Sequence, residues 1–158
     1  MNVSLRMGGT AMYDVESSIG FLMAKSYQRA WALLREEIGA YDLTPPQFGL
    51  LSFLWRRDGL TQVELSEQGQ IDRSTVGGLI DRLERDGLLE RRQHPQDRRA
   101  YKIYLTEQGK ALESTLIPCA ERSVKRFTAG LTEAELKELR RMLEILRGDR
   151  SIYELPSC

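Results

Sequence analysis

The residues from Leu60 to Thr106, LTQVELSEQGQIDRSTVGGLIDRLERDGLLERRQHPQDRRAYKIYLT, constrain the fold more than any other part of this 158-residue chain. Thr61-Gln62-Val63-Glu64 sets a hydroxyl three positions before a carboxylate, the capping box that opens a helix, and this helix ends near Gly69. Asp72 caps a second helix, with Ile71 and Val76 placed as a hydrophobic staple across its start. That helix runs to about Asp86, and Gly87 is its stop. Val76, Leu79, Ile80 and Leu83 form its buried stripe. Leu88 to Arg92 reads as a short strand, and Tyr101, Ile103 and Leu105 alternate with Lys102 and Tyr104 as a half-buried one. His94-Pro95-Gln96-Asp97 supplies the turn between them. Two short helices, a tight turn and a following hairpin make a winged helix-turn-helix.

The flanks are helical. Residues 1–14, with Gly8-Gly9 and no periodicity, read as a loose arm. Residues 15–42 hold a long helix from about Val15 to Gly39, with Ile19, Met23, Tyr27, Ala30, Leu34 and Ile38 at three- and four-residue spacing. Phe21, Leu22, Trp31 and Leu33 spill onto other faces, so the helix is expected to be covered on two sides, one of them by a second subunit. Residues 43–106 are the winged unit and open with Thr44-Pro45-Pro46-Gln47, a further capping box with proline at the first helical position. Residues 107–148 read as C-terminal dimerisation helices and 149–158 as a tail. Thr106 caps a long helix through Pro118, where the missing donor predicts a kink or break. Thr132 and Glu135 box the last helix, which carries Leu136, Leu139, Leu143 and Leu146. The expected class is mainly α with a small β-wing.

Composition narrows the partners. Net charge is +0, so any polyanion must be met by a local patch. Cys119, Cys158 and the single His94 make neither a disulfide framework nor a zinc spacing, so no metal and no cofactor are expected. No apolar run approaches the roughly 20 residues of a membrane span, and the N-terminus lacks the apolar core of a signal peptide. A cytoplasmic protein without enzymatic residues is the expectation.

The start of a second helix in such a unit meets base edges in the major groove. Arg73, Ser74 and Thr75 occupy that place, an arginine that can hold guanine in bidentate fashion beside two hydroxyls. Gly77 and Gly78 cost roughly 1 kcal/mol each against alanine inside a helix. They serve close approach to DNA, or simple tolerance, or close helix packing. Arg82 points away from the buried stripe, toward phosphate or toward a nearby acid. In the hairpin, Arg91, Arg92, Arg98, Arg99 and Lys102 are opposed within that span only by Asp97, and a basic loop there can enter the minor groove. His94 reads as a turn residue or phosphate contact.

Leu43-Thr44-Pro45-Pro46-Gln47-Phe48, Asp72 to Val76, Leu79 to Glu84, Gly87 to Arg91, Asp97-Arg98-Arg99 and Leu105-Thr106, in this order and spacing, resemble the MarR family of bacterial transcription regulators. The resemblance implies a triangular homodimer with interlocked terminal helices, gripping double-stranded DNA at a pseudo-palindromic operator, most often as a repressor. It also implies that Asp97 holds the wing loop while Arg99 enters the minor groove, with Arg98 a second contact. Family members often carry polar residues where this chain has Gly77-Gly78, which shifts base readout toward Arg73, Ser74 and Thr75. Two-fold symmetry places the recognition helices about 34–36 Å apart.

The resemblance further implies a small aromatic or anionic effector. Tyr27, Trp31, Tyr41, Phe48 and Trp55 are the candidate lining, with Arg29 or Arg35 as anion partner; aromatics at helical spacing are also ordinary core. Peroxide-sensing members place a reactive cysteine near the start of the first long helix, whereas this chain has none before Cys119. Redox control and a winged-helix protein-interaction module are the alternatives.

Overall fold

The computed structural model describes residues 14–97 and 99–148. Helix α1 spans Ile19–Ile38. It starts later than Val15 because Ser18 is the cap: its Oγ accepts from Phe21 N–H at 3.3 Å and donates to Val15 O at 2.7 Å, which holds the preceding residues in a turn. A single 3-10 turn, Gly39–Tyr41, leads through left-handed Asp42 to α2, Pro45–Arg56. The expected box is present, with Gln47 Oε1 accepting from both the Thr44 N–H and its hydroxyl at 2.8 Å.

Next come β1 (Leu60–Thr61), α3 (Gln62–Gly69), α4 (Arg73–Arg85), β2 (Leu89–Gln93) and β3 (Tyr101–Leu105). The sheet is antiparallel in the order β1-β3-β2, with Leu60 and Arg91 both opposite Ile103. β1 was not expected. Two residues show no alternation, and the strand exists only because β3 offers it an edge. Its approach is fixed by Asp58, whose Oδ1 accepts from Gly59 N–H at 3.0 Å and Leu105 N–H at 2.9 Å. Gly59 sits at φ +74 with the Tyr104 ring where a Cβ would stand, so both its backbone and its space require glycine.

Helices α5 (Glu107–Ala111) and α6 (Glu113–Phe127) correct the expectation at Pro118. The interruption is at Leu112, and Pro118 lies inside α6. The carbonyl that loses its donor to the proline is that of Ser114, in the first turn of α6, while Leu112 keeps right-handed helical angles and accepts from Leu116 N–H at 2.8 Å. Helix α7 spans Glu133–Arg147, with its capping box intact.

One core joins these elements. Ile38, Leu51, Leu54, Leu60, Leu65, Ile80, Leu83, Ile103 and Leu116 are all almost fully buried. Each such side chain contributes about 1.5–3 kcal/mol relative to exposure. α1 lies along α6, laced by Arg122 to Glu37 at 2.9 Å and by Arg126 to Glu36 and Glu37 at 2.8 and 3.1 Å. α7 buries no residue in the single chain. Ile19, Leu22, Met23 and Tyr27 of α1 and Met142, Leu143, Ile145 and Leu146 of α7 stand exposed. Among the described residues no helix is long and apolar enough to cross a membrane. The arm before Asp14 and the tail from residue 149 lie outside the described residues.

Candidate nucleic-acid interface

The turn between α3 and α4 is built from local hydrogen bonds. Gln70 takes the left-handed conformation at φ 50, and Ile71 N–H donates to Ser66 O at 3.1 Å. Asp72 then caps α4, its Oδ1 accepting from Thr75 N–H at 2.8 Å and its Oδ2 from the Thr75 hydroxyl at 2.6 Å. These bonds, the Thr75 hydroxyl first, hold the Asp72 carboxyl below its ordinary range. Gln62 Nε2 donates to Arg73 O at 2.8 Å, pinning the start of α3 onto the first turn of α4.

Arg73, Ser74 and Thr75 are exposed at the start of α4, and Arg82 is exposed further along it. The two glycines separate. A Cβ on Gly77 would stand 3.0 Å from Gln62 Nε2, so Gly77 belongs to the α3–α4 packing. Gly78 faces open space and leaves the helix surface bare.

The wing sorts its charges. Asp97 Oδ1 accepts from Arg99 N–H at 2.9 Å and its carbonyl from Ala100 N–H at 3.1 Å, which shapes the loop. His94 belongs to the same turn, its Nδ1 accepting from Gln96 N–H at 3.2 Å. Arg91 turns inward: its guanidinium pairs with Asp81 and Glu84 of α4, and Glu84 also accepts the Arg91 N–H at 3.0 Å. Arg92 pairs with Glu90 and lies over the Tyr104 ring at 4.5 Å. Lys102 is half-buried in β3, close enough to Glu64 to help lower that carboxyl, after the larger effect of the Thr61 N–H. Arg98 lies outside the described residues. Among the described residues, the guanidinium groups of Arg73, Arg82 and Arg99 have no acidic partner. The wing is therefore less basic than its composition suggests, because hairpin alternation aims Arg91 at the acids of α4.

Arg73, Arg91 and Arg99 line one cleft of about 240 Å³ with Gln62, Val63 and Tyr101, between the starts of α3 and α4 and the wing. Sequence reasoning passed over those last three. Tyr101 alternates with Ile103 and Leu105, yet it is 52% exposed because the hairpin tip outruns the core. Val63, 40% exposed, is the second residue of α3 and so belongs to its leading edge.

The aromatic residues form pairs rather than one cluster. Tyr27 contacts Trp31 at 5.0 Å between ring centroids along α1, and Phe48 meets Trp55 edge-on at 5.9 Å along α2. Phe48 and Trp55 pack against the core, and Trp55 Nε1–H donates to Gly109 O at 2.9 Å. Tyr41 lines a separate cavity of about 390 Å³ with Asp42, Asp86 and Gln108. Arg29 and Arg35 are exposed. Cys119 is 2% exposed, its thiol directed at Thr115 O at 3.3 Å and receiving the Arg122 guanidinium at 3.0 Å. Cys158 lies outside the described residues.

Comparison with known proteins agrees with this geometry. The MarR family model matches residues 43–101. The HTH-type transcriptional repressor NicR of Pseudomonas putida is 35% identical over 136 residues, covering 84% of this chain and 86% of that protein. Bordetella bronchiseptica BpsR, whose DNA binding is regulated by 6-hydroxynicotinic acid, superposes with a TM-score of 0.83 at 30% identity, over 87% of this chain and 99% of that one. A mutant of Escherichia coli MarR complexed with operator DNA superposes with a TM-score of 0.78 at 27% identity, over 81% of this chain and 92% of that one. The chain belongs to the MarR family of DNA-binding transcriptional regulators.

Proposed function

We propose that the protein is a homodimeric cytoplasmic repressor that grips a pseudo-palindromic operator and releases it when a small hydroxylated aromatic acid binds. The observation that carries this reading is the set of guanidinium groups on Arg73, Arg82 and Arg99, displayed without acidic partners among the described residues of a chain whose net charge is +0. Arg73, Ser74 and Thr75 are the base-facing residues, Arg82 is a phosphate contact, and Arg99 is the minor-groove contact that Asp97 holds in place. His94 and Lys102 flank that contact, and Arg98 adds a second charge.

The apolar residues left exposed on α1 and α7, Ile19 at 72% and Leu146 at 61% among them, support a second copy as their cover. NicR is a repressor, and the DNA binding of BpsR answers to 6-hydroxynicotinic acid. That combination supports an effector of the same chemistry here, an aromatic ring with a carboxylate. Tyr27 and Trp31, paired on α1, supply ring faces and Arg35 on the same helix supplies a cation, while Tyr41, Phe48 and Trp55 stand apart from that pair. Such a ligand acts only by binding the DNA-free arrangement more tightly.

The test is fluorescence anisotropy on DNA from upstream of the protein's own gene, titrated with 6-hydroxynicotinate and with nicotinate, alongside sedimentation of the free protein. The expected result is a dimer whose operator affinity falls roughly 5- to 150-fold with the hydroxylated acid. Unchanged affinity with both acids removes the effector from the proposal, and a monomer removes the two-fold grip.

A further inference from the structure

We infer that Thr75 reads a base-edge amino group, because Asp72 fixes the Thr75 hydroxyl as an acceptor. The inference rests on the DNA-binding reading above. Thr75 lies at the third position of α4 and is exposed. A threonine hydroxyl has one proton and two lone pairs, and it ordinarily rotates to suit either a donor or an acceptor. Here the rotor is held. Asp72 Oδ1 takes the Thr75 N–H at 2.8 Å, and Asp72 Oδ2 takes the hydroxyl proton at 2.6 Å. An ionised carboxylate accepts and never donates, so the direction of the second bond is fixed by chemistry. Hydrogen bonds to a charged partner are the stronger class, so turning the proton outward would forfeit one of them. Only lone pairs are left for DNA.

Phosphate oxygens also carry only lone pairs, so the held hydroxyl has nothing to offer the backbone. In the major groove the complementary groups are the amino hydrogens, adenine N6 and cytosine N4; guanine O6 and N7 and thymine O4 are acceptors and mismatch it. Thr75 therefore selects adenine or cytosine on the strand it faces. Ser74, beside it, turns its N–H to the Asp72 carboxylate, but its hydroxyl has no partner among the described residues and carries no such polarity. The bare surface at Gly78, one turn further along, leaves the helix free to approach the bases.

Asp72→Asn inverts the arrangement. Asparagine caps a helix as well as aspartate, so its Oδ1 keeps the Thr75 N–H. Its Nδ2 then stands where Oδ2 stood and donates to Oγ1, which turns the hydroxyl proton toward the groove. The experiment is selection from a randomised operator library with the full-length wild type, Thr75→Val and Asp72→Asn, each verified by thermal melting. The expected wild-type result is a preference for adenine or cytosine at one symmetry-related pair of positions. Thr75→Val should flatten that preference by roughly threefold to tenfold, the worth of one hydrogen bond, and leave other positions alone. Asp72→Asn should shift the same positions toward guanine or thymine. Wild-type selectivity that neither variant alters, or a uniform loss of affinity in both, overturns the role of Thr75 and leaves the regulator standing. A wild type that binds every duplex equally overturns the DNA-regulator reading and this inference with it.

Discussion

Arg91→Gln separates a clamp from a DNA contact. By position in the sequence Arg91 is one of the basic wing residues, but in the fold it crosses to Asp81 and Glu84 on α4. Its side chain is 26% exposed, against 36% for Glu84 and 61% for Asp81. The Asp81 pair is screened by water and contributes a few tenths of a kcal/mol. The Glu84 pair is better covered and shares its carboxylate with the Arg91 N–H, which places it near the top of the range for partly exposed pairs, about 1 kcal/mol. The sum is a stability loss of roughly 1–1.5 kcal/mol, or roughly 2–6 °C in Tm for a chain of this length. Loosening the wing against the recognition helix should also weaken operator binding severalfold. The slope of log affinity against log salt should stay as in the wild type, because no phosphate contact is lost. A true phosphate contact would instead reduce that slope by about one. Urea unfolding together with operator titrations at four salt concentrations gives both quantities. Unchanged stability with a slope reduced by about one would refute the clamp.

Three further outcomes follow from the same geometry. Gly78→Ala should raise stability by roughly 0.5–1 kcal/mol, since it gains helix propensity and meets nothing; a fall in operator affinity beside that gain would show the methyl group obstructing the groove. Gly109→Ala drives a Cβ into the Leu88 carbonyl oxygen and should cost at least the roughly 1–3 kcal/mol of an overpacked core, visible in the thermal melt. Glu64 has its carboxyl lowered, chiefly by the Thr61 N–H, from a reference of 4.5. Its contribution is therefore full above pH 4.5 and is lost as the pH falls through the lowered value. Glu64→Gln should flatten the acid limb of the stability profile, measured as urea midpoints between about pH 6 and 3.

Features set by neighbours in the chain are legible in the residues themselves. The boxes at Thr44, Thr61 and Thr132, the Asp72 cap and the Gly87 stop each depend on residues within one turn, and each appears where the spacing placed it. The loop role of Asp97 comes from the family resemblance and not from the residues alone, and the bond it accepts, from Arg99 N–H, is also local. What escaped depends on distant partners. β1 needs β3; the inward turn of Arg91 needs Asp81 and Glu84 brought across the hairpin; the exposure of Tyr101 needs the core to end before the wing does. Gly77 and Gly78 look identical in sequence and part only when Gln62 folds against one of them. The late start of α1 was a local signal overlooked, since Ser18 was available as a cap.

The central claim is that α4 and the wing together recognise a specific operator. Its most direct test is anisotropy of the wild type and Arg99→Ala on DNA from upstream of the protein's own gene and on a scrambled duplex, at two salt concentrations. The account predicts tight, selective wild-type binding that falls steeply with salt, and in Arg99→Ala a loss of roughly tenfold or more on the selected duplex with little change on the scrambled one. Equal, weak binding to both duplexes that is indifferent to Arg99 would contradict it.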